Sequence, residues 1–537
     1  MKLAHNRADV LVVGGGLGGV AAALAVLRRG RTVLLTEETD WLGGQLTTQA
    51  VPPDEHPWIE RFGCTASYRE LRDGIREYHR RWYPLSERAR TARFLNPGEG
   101  TVSPLCHEPR VAVAVIDAML APWIATGRLR VLLGHRPVAA EVDGDQVRAV
   151  VVEDPAGNRV ELGAPYVLDA TELGDLLPLT GTEHVTGFES QAETGEPHAP
   201  AQAQPANMQA FSWCFALEHR AGENHTIDQP DEYHFWSTFR PDFWGSELVS
   251  LTAPDPRTLA PYTRTFVPNP AADGEIVADQ SVSAGDSDLW IFRRIVSRGT
   301  FAPGLVDSDV TLVNWPMIDY FLGPLIGVGE EEKAKHLASS RQLSLSMLYW
   351  LQTEAPRPDG GTGWPGLRLR GDVLGTADGF AKAPYIRESR RIRAEYTVVE
   401  QDLSLDIRGE RGSVVYPDSI GVGAYRIDLH PSTGMDNYID VGSTPFHVPL
   451  GALLPVRTEN LLAASKNIGT THITNGCYRM HPTEWNIGEV AGALAAHCQA
   501  NGLSPRQVRA DARRLEDFRA ELAADGVELG WPRIGGY

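Results

Sequence analysis

Long apolar runs are missing from this chain. The best stretch, residues 111–125, is interrupted by Asp117 and Pro122, so nothing reads as a bilayer span. The opening MKLAHNRADV lacks the apolar core of a secretory signal. Cysteine is scarce: Cys64, Cys106, Cys214, Cys477 and Cys498 are odd in number and form no C-x-x-C pair, which argues against a disulfide framework. These absences together predict a cytoplasmic, reduced protein with no membrane partner. Positive charge is also in deficit. A formal net charge of -19 argues against nucleic acid or an anionic membrane as partner. No H-E-x-x-H occurs and the histidines are scattered, so no metal site is expected. Internal repeats, sustained heptads, a G-x-S-x-G elbow and a P-loop are absent as well.

What remains is a globular composition, 42% apolar and 22% charged, over 537 residues, long enough for two or more domains. The chain is organised around Asp9 to Glu37. Val10 to Val13 reads as a strand buried on both faces. Gly14, Gly16 and Gly19 match G-x-G-x-x-G, and Val20, Ala23, Leu24 and Leu27 follow at helical spacing. Gly30 caps that helix, and Thr32 to Thr36 forms a second strand with Glu37 at its end. In such a unit the first glycine makes the tight turn and the second lets a pyrophosphate touch the backbone. The third lets the helix pack on the sheet, and the acid accepts from a ribose diol. The stretch predicts a dinucleotide and leaves FAD or NAD open.

Further along, Gly43, Gly44 and Gln45 form a polar loop just past the second strand, where backbone approaches the cofactor closely. Residues 65–82 read as an amphipathic helix with a solvated basic face, and 111–124 as another helix. Segments 128–134, 138–142, 146–153 and 160–162 alternate like the strands of a β-meander. Residues 166–170 form an apolar strand ending in small residues, Asp169-Ala170-Thr171. Residues 186–206 read as a long loop or boundary, and an aromatic-rich segment follows, with a long helix over 333–352. Gly361, Gly363 and Gly366 repeat the glycine spacing, but Pro356 and Pro358 precede them in place of a strand, so they read as a loop. Arg387, Arg390, Arg391 and Arg393 form either a salt-bridge network with Glu388 and Glu395 or a carboxylate site. Residues 460–464 read as a short strand. Pro482 opens a helix in which Gly488 and Gly492 allow close approach to a partner or ligand.

Taken together, the fingerprint with Glu37, Trp-Leu-Gly-Gly-Gln, Asp-Ala-Thr-Glu-Leu-Gly, Pro-Tyr-Ile-Arg-Glu-Ser-Arg-Arg and the closing His-Pro-Thr-Glu-Trp-Asn-Ile-Gly-Glu resemble bacterial FAD-dependent oxidoreductases. These are relatives of the glutathione reductase-like and fumarate reductase-like flavoproteins. The resemblance implies an α/β fold: a Rossmann-like FAD-binding domain, split in sequence, with a β-meander and an inserted α+β substrate domain. The expected divisions are 1–200 (FAD domain, first part), 201–440 (insert), 441–500 (return segment) and 501–537 (terminal helix and tail). It further implies FAD contacts at Gly14, Gly16, Leu17, Gly18, Gly19, Glu37, Glu38, Gly43, Gly44 and Gln45. Others are implied at Val138, Ala170, Thr171, Asn467, Ile468, Glu484, Asn486 and Ile487. Many relatives carry Gly-Asp ahead of the closing helix; Lys466-Asn467 stand there in this chain, and Asn467 is expected to meet the ribityl oxygens.

On this reading His472, Arg479 and His481 flank the flavin edge, and His430 precedes Pro431 in a polar loop. A histidine there takes a proton from a substrate O–H or N–H as hydride leaves for the flavin. Tyr425 and Tyr478 are further donors. Cys106-His107 offers a covalent attachment point, although noncovalent FAD is the expectation. The implied function is oxidation of a small organic molecule, with oxygen or another acceptor closing the cycle. A monooxygenase driven by NAD(P)H and a redox-neutral isomerase or lyase are the alternatives.

Overall fold

The computed structural model describes residues 6–270, 286–532 and 534–536. Val10–Val13 (β1), Leu17–Arg28 (α1) and Val33–Glu37 (β2) form the expected βαβ unit. α1 is buried on every side from Leu17 to Leu27, which explains its uniformly apolar composition. Gly30, at φ +77°, donates to Leu27 O at 2.9 Å and turns the chain into β2.

Ala66–Trp82 (α2) starts at Thr65, whose hydroxyl accepts from Tyr68 N at 3.2 Å. Its basic face is not solvated as expected. Arg72 and Arg76 are buried, because the preceding loop lays Glu55 and Glu60 over them. Arg72 Nε donates to Glu55 Oε1 at 2.8 Å, and Arg76 Nη1 to Glu60 Oε2 at 3.0 Å. Pro109–Ala125 (α3) leads into Leu129–Leu133 (β3), which the alternation assigned to the meander. It instead joins the parallel sheet beside β2, in register Val33↔Leu129. The meander is the antiparallel trio Arg136–Asp143 (β4), Gln146–Glu153 (β5) and Arg159–Leu162 (β6). Tyr166–Asp169 (β7) returns to the main sheet beside β1.

The middle of the chain builds a separate antiparallel sheet from Phe215–His219 (β8), Arg294–Val296 (β9), Val310–Val313 (β10) and Leu367–Leu369 (β11), in the order β9-β10-β8-β11. Its length also holds the long helix Glu330–Thr353 (α4). The abundant aromatics form the core here: Trp236, Trp244, Trp290, Trp315 and Phe321 pack in one cluster. Gly361, Gly363 and Gly366 lie in the loop ahead of β11, with no βαβ unit. Ile392, Val398, Leu403, Ile420 and Ile427 pack in the same core as the first βαβ unit, while Tyr438 packs in the aromatic cluster.

The return segment contains Ser419–Gly423 (β12), Ile427–Leu429 (β13), Ile439–Val441 (β14), Phe446–Pro449 (β15), Leu461–Ala463 (β16), His472–Tyr478 (α5) and His481–Asn501 (α6). β12 pairs with β15 and β13 with β14, both antiparallel. The main sheet then runs β16-β7-β1-β2-β3, every neighbour parallel. Gly488 and Gly492 of α6 face α1 rather than a ligand. A Cβ at Gly488 would meet Gly18 O at 1.9 Å, and one at Gly492 would meet Ala22 O at 2.3 Å. Two helices locked this closely bring the start of α6 beside the glycine turn, at the carboxyl end of the sheet where α/β folds hold ligands.

Candidate active site

The glycine turn forms one wall of a narrow cleft. Gly14 has φ +101°, and a Cβ there would meet Ala170 O at 2.2 Å; a Cβ at Gly19 would meet Gly14 O at 1.9 Å. Both positions are therefore closed to any side chain. Gly16 faces the cleft, which Glu37, Glu38, Ala170 and Thr171 also line. Glu37 is held in place: Oε2 accepts from Gly15 N at 2.9 Å, and Oε1 from Thr39 N at 2.9 Å and Thr39 Oγ1 at 2.8 Å. Burial pushes its carboxyl up to about 7. Leu17, Gly18 and Gly19 are buried in packing; a Cβ at Gly18 would meet Ala464 O at 1.9 Å. Val138 does not line the cleft. His135 and Pro137 do, and strand alternation turns Val138 to the other face.

A second layer sits at the start of α1. Glu484 Oε1 accepts from Gly18 N at 3.3 Å and from Ser465 Oγ at 3.0 Å, while Oε2 takes the amide of Gln45. A carboxylate on a first-turn amide displays the preference of that helix end for negative charge. Lys466 pairs with Glu172, whose Oε1 is buried without a hydrogen-bond partner beside Gly16. Gly43 (φ +111°) and Gly44 (φ +51°) fold the next loop onto the turn, where a Cβ on Gly44 would meet Gly16 Cα at 2.8 Å. Asn467 departs from expectation, because both ends of its amide are used internally. Nδ2 donates to Asp169 O at 3.0 Å, and Oδ1 accepts from Ser465 N at 3.2 Å. Ile468 and Ile487 are core residues, and Asn486 Oδ1 braces Val422 N at 3.2 Å.

Arg479 links this layer to a cavity of about 260 Å³. Its carbonyl accepts from Gln45 Nε2 at 3.0 Å, while its guanidinium lines the cavity wall. From Arg479 a chain of polar contacts runs round that wall. Arg479 Nη1 donates to Tyr385 OH at 2.7 Å, and Nη2 lies 3.4 Å from Asp428 Oδ2. Asp428 Oδ2 is 3.6 Å from His430 Nε2, and His430 Nδ1 is 2.5 Å from Asp319 Oδ2. Asp319 Oδ1 in turn meets Arg387 Nη2 at 2.9 Å and Ser212 Oγ at 2.6 Å. Burial pushes Asp319 up, but Arg387 and His430 outweigh it and hold the carboxyl below its ordinary value. Asp428 is likewise pushed up by burial and pulled further down by His430 and Arg479.

The structure thus brings His430 and Arg479 together in one cavity and leaves the other two candidates outside it. His472 Nδ1 faces Glu388 Oε1 at 2.9 Å, and its ring packs on Phe188. His481 Nδ1 accepts from Asp54 N at 3.0 Å, and burial pushes the imidazole down to about 4. Tyr425 lines the cavity, whereas Tyr478 OH is tied to His447 O at 2.6 Å. Cys106 and His107 are buried away from it; burial raises the thiol to about 12 and lowers the imidazole to about 3. Of the arginine cluster, Arg391 pairs with Glu388 and Glu189, and Arg390 with Asp175, while Arg387 reaches the cavity. Glu395 pairs instead with Arg506 and Arg509. Asp319, Tyr385 and Asp428 escaped sequence reasoning. Only Asp428 left a signal, since it stands two residues before His430 and an extended chain points both to one face.

The chain matches the FAD dependent oxidoreductase family over residues 9–522. Among solved structures, it is similar to the OxyS anhydrotetracycline hydroxylase from Streptomyces rimosus at 12% identity, covering 96% of this chain and 66% of that one, with a TM-score of 0.32. It is also similar to the myxobacterial chondrochloren halogenase CndH at 16% identity, covering 41% of this chain and 46% of that one, with a TM-score of 0.21. For a flavoprotein/dehydrogenase from Cytophaga hutchinsonii the figures are 18%, 42%, 48% and 0.23. The matched regions span less than two thirds of each of these proteins. No curated protein matches the sequence. The family match covers nearly the whole chain, and the chain belongs to the FAD dependent oxidoreductases: it is an FAD-dependent enzyme with a Rossmann-like fold.

Proposed function

We propose that this oxidoreductase binds FAD noncovalently along the glycine cleft and oxidises a small organic molecule held in the Arg479–His430 cavity. The residues present fit the cofactor. Gly16 offers a side-chain-free seat at a helix N-terminus, and Glu37 presents a fixed carboxylate where a ribose diol would donate. Glu172, Lys466 and Glu484 continue the polar wall toward Gln45. When bound, FAD supplies the two-electron acceptor, and oxygen or another acceptor restores it.

The chain's own part is positioning and proton transfer. Asp319 accepts from His430 Nδ1, and Nε2, which lies 3.6 Å from Asp428 Oδ2 and outside hydrogen-bond distance of it, takes a proton from a substrate hydroxyl or amine. Arg479 and Tyr385 orient the substrate beside the Gln45 loop. The observation that carries this reading is the continuity from Gln45 through Arg479 and Asp428 to His430. Anaerobic mixing with candidate substrates tests it. Bleaching of the flavin by substrate alone supports the proposal; bleaching that requires NAD(P)H supports a monooxygenase. Turnover without bleaching supports a redox-neutral enzyme.

A further inference from the structure

Four carboxylates in and around the cavity are paired with arginines, yet donors are left over. Asp319 is taken by Arg387, Asp428 by Arg479, Asp440 by Arg426 and Asp286 by Arg264. Three arginines of the cavity wall, Arg387 and Arg479 of these pairs and Arg293 besides, keep unspent nitrogens. Arg387 Nε and Arg479 Nε are buried without a hydrogen-bond partner, in side chains only 2% exposed. Arg293 goes further: Nε and Nη1 are both buried and unpartnered, and its nearest anion is Asp54 at 3.8 Å. Asn314 Nδ2, on the same wall, is also unpartnered. A neutral carbonyl oxygen accepts from two N–H donors, whereas a carboxylate accepts up to four, matches the positive charge and suits a guanidinium fork. Between these charged residues, Phe292, Pro316 and the rings of Tyr425 and Tyr438 give the wall apolar surface, while Asp54, Glu55 and Asp255 also line it. At about 260 Å³ the space admits a small molecule.

We infer that the substrate is a small carboxylate with an apolar body, its carboxylate seated on Arg293, Arg387 and Asn314. The inference rests on the proposal that this cavity is the substrate site. Arg387 stacks on the ring of Tyr385, whose hydroxyl Arg479 holds, so the carboxylate seat adjoins the groups assigned to orientation and proton transfer. An overall charge of -19 repels anions at long range, so selection for a carboxylate depends on these local donors.

Benzoate and benzamide, nearly isosteric and differing in charge, provide the test on the FAD-loaded protein. Calorimetric titration should give benzoate at least about tenfold tighter binding than benzamide, the strength expected of charge-assisted over neutral hydrogen bonds. Arg293→Met should erase that difference, Arg293→Lys should restore part of it, and Asn314→Asp should weaken benzoate alone. FAD content and melting temperature report whether each variant is folded, and the wild-type comparison needs no variant. Equal binding of the two probes, or an unchanged preference in folded Arg293→Met, would overturn the inference. If benzoate is preferred but no carboxylate bleaches the flavin anaerobically, the carboxylate seat stands and the redox proposal falls.

Discussion

His430 Nδ1 and Asp319 Oδ2 lie 2.5 Å apart although 111 residues separate them, and they meet where the middle segment packs on the return segment. A buried carboxylate on one ring nitrogen fixes the tautomer and frees the other nitrogen for substrate. His430→Gln is expected to lower kcat by about 10²–10⁴-fold with KM and FAD content little changed. Asp319→Asn is expected to do the same and to move the pH profile. It also leaves Arg387 buried without its anion, so its melting temperature should fall by more than that of His430→Gln.

Gly16→Val is expected to yield protein without flavin. A Cβ there already meets Glu172 Oε1 at 2.9 Å, and the added methyl groups fill the cleft. The absorbance of the purified variant checks this, and a fully yellow variant would refute the cleft as the pyrophosphate seat.

FAD affinity is expected to depend on pH through Glu37. Its carboxyl stands at about 7 against an ordinary 4.5, so in the empty protein it is protonated below neutrality. Ionising it costs more folded than unfolded, and the apoprotein should lose stability between pH 4.5 and 7. Ribose hydroxyls donate to the anion, so affinity should rise up to about tenfold per pH unit below 7 and level off above it. Glu37→Gln should flatten the curve. Fluorescence titration of apoprotein with FAD from acid to alkaline pH measures both.

Gly488→Ala tests the contact between the two long buried helices. The new Cβ would fall 1.9 Å from Gly18 O, a backbone atom that cannot rotate away. Overpacking of this kind costs about 1–3 kcal/mol, and here it also shifts the start of α1. Denaturant unfolding should show the loss, together with weaker FAD binding.

The sequence made the βαβ unit and its cofactor legible because each signal there is local: an apolar run, a glycine spacing, helical periodicity, a terminal acid. The cavity was legible only in part. Its wall is gathered from residues 54, 293, 314, 385, 387, 428, 430 and 479, which no linear pattern connects. Histidines close to the helix start in sequence, His472 and His481, turned out to be consumed by Glu388 and by Asp54 N, while His430 reached the cavity from a hairpin. Arg72 and Arg76 misled for a related reason. Helical periodicity places them on one face, but whether that face meets water or Glu55 and Glu60 depends on how the preceding loop folds back. Gly488 and Gly492 were rightly marked as sites of close approach. What approaches, α1, is set by tertiary packing alone.

His430 and Arg479 are proposed to form a substrate site coupled to the flavin. The most direct measurement is anaerobic stopped-flow mixing of the FAD-loaded protein with small hydroxy and amino acids, followed by flavin absorbance in wild type and His430→Gln. At least one of these acids is expected to bleach the flavin without NAD(P)H, about 10²–10⁴-fold more slowly in the variant. Bleaching at the same rate in both proteins, or bleaching only when NAD(P)H is added, would contradict it.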